Sequence, residues 1–246
     1  MKNIASAFSL LCALLLGAGA RADIVNVYTS ANFAPLMLGD GRGIYPDLVA
    51  YLNRRKLDGV TFRLLYIPRK RLQVKLEDGS LDGIVIGMMP EWFDDTAQNK
   101  YLWTAPFATD RFALVAPASG PIDPALSDTL RGKTVGVTLG YVYPGLDDWF
   151  VRARAQRSDG VSDEKNIEKL LLGRVDCVIV AESMARNFIR THQLGDKLRV
   201  RAMPGPGTER RFLAPRSQAK AHARIAPVIR KLRNDPEWKR IVASYE

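Results

Sequence analysis

The chain has 246 residues and a formal net charge of +10, from 36 Lys and Arg against 26 Asp and Glu, with two histidines and two cysteines. So few imidazoles and thiols leave a zinc site or a Cys-His or Ser-His nucleophile pair poorly supplied, and neither a metal nor a cofactor is expected. The basic charge is scattered and follows no nucleic-acid-binding motif, so it reads as a solvated surface and nucleic acid is excluded as a partner.

Residues 1–22 read as a cleaved secretory signal peptide. Lys2 supplies the positive start, Ile4 to Leu16 the apolar run, and Ala20-Arg21-Ala22 the small-x-small site. Cys12 follows Leu10 and Leu11 rather than a small residue, so no lipid anchor is expected. The mature chain would start near Asp23 in the periplasm. Its formal charge falls to +8 once Lys2 and Arg21 are removed. One cysteine, Cys177, then remains, which rules out an intramolecular disulfide.

From there the pattern is that of alternating strands and helices. Val25-x-Val27 begins a strand, and a loop with Phe33-Ala34-Pro35 follows. Ile44, Leu48 and Leu52 fall on one helical face, and residues 60–66 alternate as a strand. In "LEDGSLDGIVIG" (76–87) a helix stops at Gly79, and Asp82 leads into a buried strand. A diverged echo appears farther on. Val135-x-Val137 precedes Tyr143-Pro144, and "LLGRVDCVIV" (171–180) repeats the glycine, aspartate and strand with Gly173 and Asp176. Asp163 is the expected N-cap of the helix carrying Ile167, Leu170 and Leu171. Asp82 and Asp176 read as strand-entry residues bonding nearby backbone. Near the end, Ile225, Val228, Ile229 and Leu232 keep helical spacing around Pro227, where that helix is expected to kink or start. Asp235-Pro236 then caps a last helix with Trp238 and Ile241.

This order implies two α/β lobes. Ligands of parallel α/β sheets bind beyond the carboxyl ends of the strands, so the loops at 30–35, 66–71, 87–93, 139–144 and 180–183 would face one another across a cleft. Candidate ligand-binding residues in these loops are Phe33, Arg69, Trp92, Phe93, Tyr141, Tyr143 and Glu182. The aromatics would offer flat walls, Arg69 a cation and Glu182 an anion. The plain alternatives are core packing for the rings, surface charge for Arg69 and an ordinary helix-start charge for Glu182.

The stretches "LRGKTVGVTLG" (130–140), "LLGRVDCVIV" (171–180), "LEDGSLDGIVIG" (76–87) and "YLWTAPF" (101–107) carry a further signal. In their order and spacing the chain resembles the family-3 bacterial solute-binding proteins, the polar amino acid receptors of ABC transporters. The resemblance implies an α/β type II periplasmic-binding-protein fold, the venus-flytrap, in which two crossing strands join two lobes. Lobe 1 would hold 23–112 plus 208–246, and lobe 2 would hold 113–207. It also implies a monomer that closes on a small-molecule ligand in the interlobe cleft and is read by an ABC-transporter permease or a membrane sensor.

Three anchoring positions depart from that family. Its members hold an α-carboxylate with an arginine after the strand that follows Asp82, and this chain has no arginine between Arg71 and Arg111. In its place stands "PEWFDDTA" (90–97), whose acids would repel a carboxylate. The family's ammonium-binding aspartate is Ala181 here, beside Glu182, and its Gly-Thr/Ser-Thr turn is Gly140-Tyr141-Val142. Arg69 is the best substitute cation. The ligand expected is small and polar or partly planar, and ordinary α-amino acids are expected to bind poorly. Two rival readings stay open: a periplasmic enzyme on the same fold, similar to cyclohexadienyl dehydratase, and a protein that has lost its ligand and binds a partner.

Overall fold

The computed structural model describes residues 23–125, 127–143, 145–205 and 207–245. The signal-peptide expectation for 1–22 lies outside the described residues. Among them no helix is long and apolar enough to cross a membrane.

The chain runs β1 (Asp23–Thr29), α1 (Ile44–Arg54), β2 (Val60–Tyr66), α2 (Arg69–Glu77), β3 (Gly83–Met88), β4 (Leu102–Trp103), β5 (Ala108–Asp110) and β6 (Phe112–Pro117). It continues through β7 (Thr134–Thr138), α3 (Leu146–Ala153), β8 (Gln156–Gly160), α4 (Asp163–Leu171), β9 (Cys177–Ala181) and α5 (Glu182–Thr191). It ends with β10 (Leu198–Ala202), β11 (Thr208–Ala214), α6 (Ala219–Leu232) and α7 (Pro236–Ala243).

Two sheets result. The first has the order β2-β1-β3-β11-β4, with β5 also pairing β11, and the second has the order β10-β6-β9-β7-β8. In the first, β1 is parallel to β2 and β3, while β11 is antiparallel to its neighbours. In the second, β7 is parallel to β8 and β9, while β6 is antiparallel to β9 and β10. The chain passes between the sheets twice, at Arg111 and again between the end of β10 and the start of β11. The two crossings touch where the Met203 N–H donates to the Phe112 carbonyl at 2.9 Å.

The central strands are continuous apolar runs because both faces are covered. In β9, Cys177 and Ile179 face one core while Val178 and Val180 face another. Likewise Ile84 and Ile86 of β3 face one side and Val85 the other. A side-chain period of two under helices on both faces demands this composition. Burial raises the Cys177 thiol to about 12, which makes it an inert apolar filler.

Local expectations meet the structure unevenly. Asp235 caps α7 by accepting from the Glu237 and Trp238 amides. Pro227 lies inside α6 rather than at its start, because the helix already begins at Ala219. Asp176 accepts from the Thr134 amide, and Asp82 accepts chiefly from the Tyr28 phenol and the Asn26 amide group, side chains of β1, with its own backbone N–H also acting on it. Asp163 is not the N-cap of α4. Ser162 is, with its hydroxyl accepting from the Lys165 amide, so the Asp163 carboxylate is left to point elsewhere.

Candidate functional site

The carboxyl ends of β1, β3, β7 and β9 face each other between the sheets. They enclose a cavity of about 50 Å³ together with the starts of α2 and α4 and the inner face of β11. Ser30, Ala31 and Phe33 come from the loop after β1, Gly87 and Met88 from the end of β3, and Arg69 from the first position of α2. Trp92 sits on a short 3-10 turn, Pro90–Phe93, that closes the loop after β3. The second sheet contributes Phe112, Tyr141, Val142, Asp163 and Ala181, and β11 contributes Arg210. Gly87 is required twice over. Its φ is +81°, and a Cβ there would overlap the Tyr45 phenol.

Arg69 is the centre of the charge problem. Its guanidinium carbon lies 4.2 Å from the Phe93 ring centroid and 5.9 Å from that of Trp92. It donates to the Trp92 carbonyl at 3.1 Å and touches the Met88 sulfur. Among the described residues no carboxylate pairs with it. Burial therefore lowers its pKa to about 10, with the Tyr141 phenol acting the other way. Arg210 differs. It is more deeply buried, and it donates to Asp110 at 3.2 Å. Burial opposes its charge, and Tyr45 and Asp110 outweigh that, so its pKa rises. Its Nε has no partner, nor does the Trp92 Nε1.

Asp163 is the acid of the cavity. Its Oδ1 accepts from the Thr138 hydroxyl, and its buried Oδ2 has no partner. Burial raises its pKa to about 6, against the Thr138 bond, the Ala181 amide and the nearby Arg210. Burial and Asp163 together also push the Tyr141 phenol well above its ordinary range.

Of the residues singled out in the sequence, the cavity gathers Phe33, Arg69, Trp92 and Tyr141. Phe93 lies beneath Arg69 instead, edge-on to Tyr101 at 6.0 Å and tilted against Trp103 at 6.2 Å. Tyr143 is turned into the core of the second sheet. Its ring packs on Phe112 at 4.8 Å, and its hydroxyl accepts from the Thr138 amide at 2.8 Å. Glu182 is held by Arg111 and Arg186 and does not line the cavity. None of the acids of 90–97, expected to repel a carboxylate, lines the cavity. Asp95 folds back into its own loop, accepting from the amides of Asn99, Lys100 and Tyr101 and from the Trp103 indole.

Asp163 and Arg210 were missed. The adjacent cap-type residues Ser162 and Asp163 left it open which one caps and which is free. Arg210 shares strand parity with Phe212 and Ala214, and that parity marks an inward-facing position.

A larger groove of about 760 Å³ runs along Phe112, Tyr143, Trp149 and Met203. Of its cations, Arg111 and Arg211 are already paired with Glu182 and Glu209; Arg152 and the partnerless Thr208 hydroxyl line it as well. The small cavity is the better site because it gathers three buried polar atoms without partners, Trp92 Nε1, Arg210 Nε and Asp163 Oδ2, against one in the groove, and such atoms are costly unless something meets them.

No protein-family model and no curated protein sequence matches the chain. Solved structures do match it in fold. One is the substrate-binding protein of an amino acid ABC transporter, 20% identical, with a TM-score of 0.71 over 90% of this chain and 98% of that one. Another is an ancestral arginine-binding protein bound to arginine, 18% identical, with a TM-score of 0.73 over 90% and 97%. A third is the BvgS periplasmic VFT2 domain of Bordetella pertussis, 20% identical, with a TM-score of 0.70 over 91% and 93%. With its two sheets, two crossings and interlobe cavity, the chain has the two-lobed venus-flytrap fold of these binding proteins.

Proposed function

We propose that the protein is a periplasmic solute-binding protein that captures a small polar or partly planar molecule between its lobes for uptake or sensing. The mature chain starts near Asp23. Lobe 1, residues 23–112 plus 208–246, closes on lobe 2, residues 113–207, and the closed monomer is read by an ABC-transporter permease or a membrane sensor. The observation that carries this reading is the half-buried Arg69 guanidinium without an ion-pair partner among the described residues, facing the interlobe cavity. A cleft that had lost its ligand would gain stability by replacing such a cation with an apolar side chain. The ABC-transporter binding protein and the arginine-bound ancestor support solute capture on this fold. Phe33, Trp92 and Tyr141 supply the walls, and Arg69, Arg210 and Asp163 supply the polar contacts.

The test is a thermal-shift and calorimetric screen of amino acids, amines, short peptides, organic acids and nucleobases against the wild type and Arg69→Ala. One saturable site that is lost in Arg69→Ala is expected. Ligand at about 100 times its dissociation constant should stabilise the fold by about 2.7 kcal/mol. Binding that is indifferent to Arg69→Ala would place the site elsewhere.

Asp163 favours a second reading. A buried acid with a pKa of about 6 suits proton transfer, as an enzyme on this fold would need. Recovery of the bound compound chemically unchanged decides for capture, and recovery of a product decides for catalysis.

A further inference from the structure

Resting on the capture reading, we infer that the cavity takes a small monocarboxylate together with one proton. The ligand's carboxylate meets Arg69, and the Asp163 carboxyl keeps the proton and donates a hydrogen bond through it to the ligand.

The first reason is the balance of unmet groups. Trp92 Nε1 and Arg210 Nε are buried donors without partners, and Arg69 is a guanidinium without a carboxylate. Against them the fully buried side-chain atoms of the cavity lining offer one acceptor without a partner, the Asp163 Oδ2, on a carboxyl that the Ala181 amide also faces. A site so rich in donors is complementary to an oxyanion. A ligand ammonium would add donors to a site already in excess of them.

The second reason is charge. Arg210 is balanced by Asp110, so Arg69 and Asp163 are the pair whose charges remain to be matched. An incoming carboxylate would face one guanidinium beside a second carboxylate, and two buried carboxylates in one site cannot both stay ionised without large cost. A proton drawn from solvent onto Asp163 restores neutrality and turns its Oδ2 from a competitor into a donor. The groups around Asp163 are compatible with this. β7 presents the Thr138 hydroxyl, the following loop the Tyr141 and Tyr143 phenols, the end of β9 the Ala181 amide, β11 the Arg210 guanidinium and β5 the Asp110 carboxylate. Burial already lifts the Asp163 pKa to about 6, and a neighbouring anion lifts it further.

The third reason is size. A cavity of about 50 Å³ holds about three or four water-sized groups, which suits a short acid with a methyl or keto tail against Ala31, Phe33 and Ala181.

The experiment is calorimetry with acetate, lactate and pyruvate, and with glycine and alanine as zwitterions of similar size. Titrations are run at about pH 5.5 and about pH 7.5, in buffers of different ionisation enthalpy. For at least one of the three acids, uptake close to one proton per ligand is expected near pH 7.5, with affinity about tenfold or more higher near pH 5.5. Asp163→Asn, which mimics the protonated acid, should raise affinity near pH 7.5 and flatten the pH profile. Should that variant not fold, the proton count on the wild type decides alone. Glycine or alanine binding that weakens at the lower pH and vanishes in Asp163→Asn would overturn this inference while leaving solute capture standing. Binding of none of the three acids would overturn it too. Capture itself fails separately, when no solute of the wider screen binds the wild type.

Discussion

The guanidinium of Arg210 lies 3.2 Å from the carboxylate of Asp110, and each side chain is less than a tenth exposed. The two residues belong to β11 and β5, the paired segments beside the crossings between sheets. Asp110 also accepts from the Ser183 hydroxyl at 2.6 Å, at the start of α5. One carboxylate therefore ties the crossing strands, the second sheet's helix and a residue of the cavity together.

Removing that carboxylate strands a buried cation. Asp110→Ala should destabilise the protein by about 3–5 kcal/mol, and the double variant Asp110→Ala/Arg210→Met should recover most of it. Urea unfolding of the two variants measures this. A single-variant loss below about 1 kcal/mol would show that water already reaches Arg210.

Arg69 should behave in the opposite way. The lowering of its pKa to about 10 corresponds to a cost of about 3 kcal/mol for its charge, partly offset by about 0.5–2 kcal/mol from the Phe93 and Trp92 rings. Because that pKa stays well above neutrality, the cost is constant across ordinary pH and is relieved only as pH rises past about 10. Arg69→Met should therefore raise the melting temperature of the unliganded protein while abolishing ligand binding. A lower melting temperature would make Arg69 a packing element of the aromatic cluster.

Asp163 gives a pH-dependent version of the same trade. Its folded pKa of about 6 lies above the unfolded carboxylate value, so the folded state binds the extra proton. Its contribution to stability is thus better in acid. It worsens as pH rises through about 6, by about 3 kcal/mol in all. Asp163→Asn should be the more stable protein near pH 7.5, and the gap should close towards about pH 4. Paired melting curves across that range test it, and a gap independent of pH would contradict the burial of the carboxyl.

Asp95 has the reverse sign. Burial opposes its charge, but the Trp103 indole and the amides of Lys100, Tyr101 and Asn99 outweigh this and lower its pKa. Its stabilisation is present above the unfolded carboxylate range and is lost as pH falls through the lowered value. Asp95→Ala leaves three loop amides and an indole N–H without their acceptor, and should cost about 2–4 kcal/mol at neutral pH. Near-UV circular dichroism of Trp103 during urea titration reports the loss. A cost that does not shrink in acid would assign the effect to packing alone.

Much of the architecture was legible because buried strands and amphipathic helices announce themselves by period. "GIVIG" and "CVIV" read as strands covered on both faces, and Gly79 and Gly173 as helix ends, with φ of +74° and +67°. Asp235 read as a cap because its side chain acts on amides two and three residues away. The polar edge strand Gln156–Gly160 was not legible. Its side chains face solvent, and its partner β7 is distant in sequence.

Within the cavity the same division holds. Arg69, Phe33, Trp92 and Tyr141 stood out because loops after strands of a parallel sheet must converge at one end, which is a property of topology that sequence order encodes. Local pattern did not decide which ring turns inward, and Phe93 and Tyr143 went to the cores beside the site. Nor did it decide which of Ser162 and Asp163 caps a helix, or that Glu182 is taken by two arginines. Partner choice for a charged or capping group depends on what long-range packing brings within about 3 Å. Arg210 meets Asp110 across 100 residues of chain, and Thr138 meets Asp163 across 25. The sequence by itself determined the buried strands, the amphipathic helices and the loops that face the cleft. The tertiary structure decided which polar atoms there were left without partners, because burial and pairing exist only once the two sheets have come together.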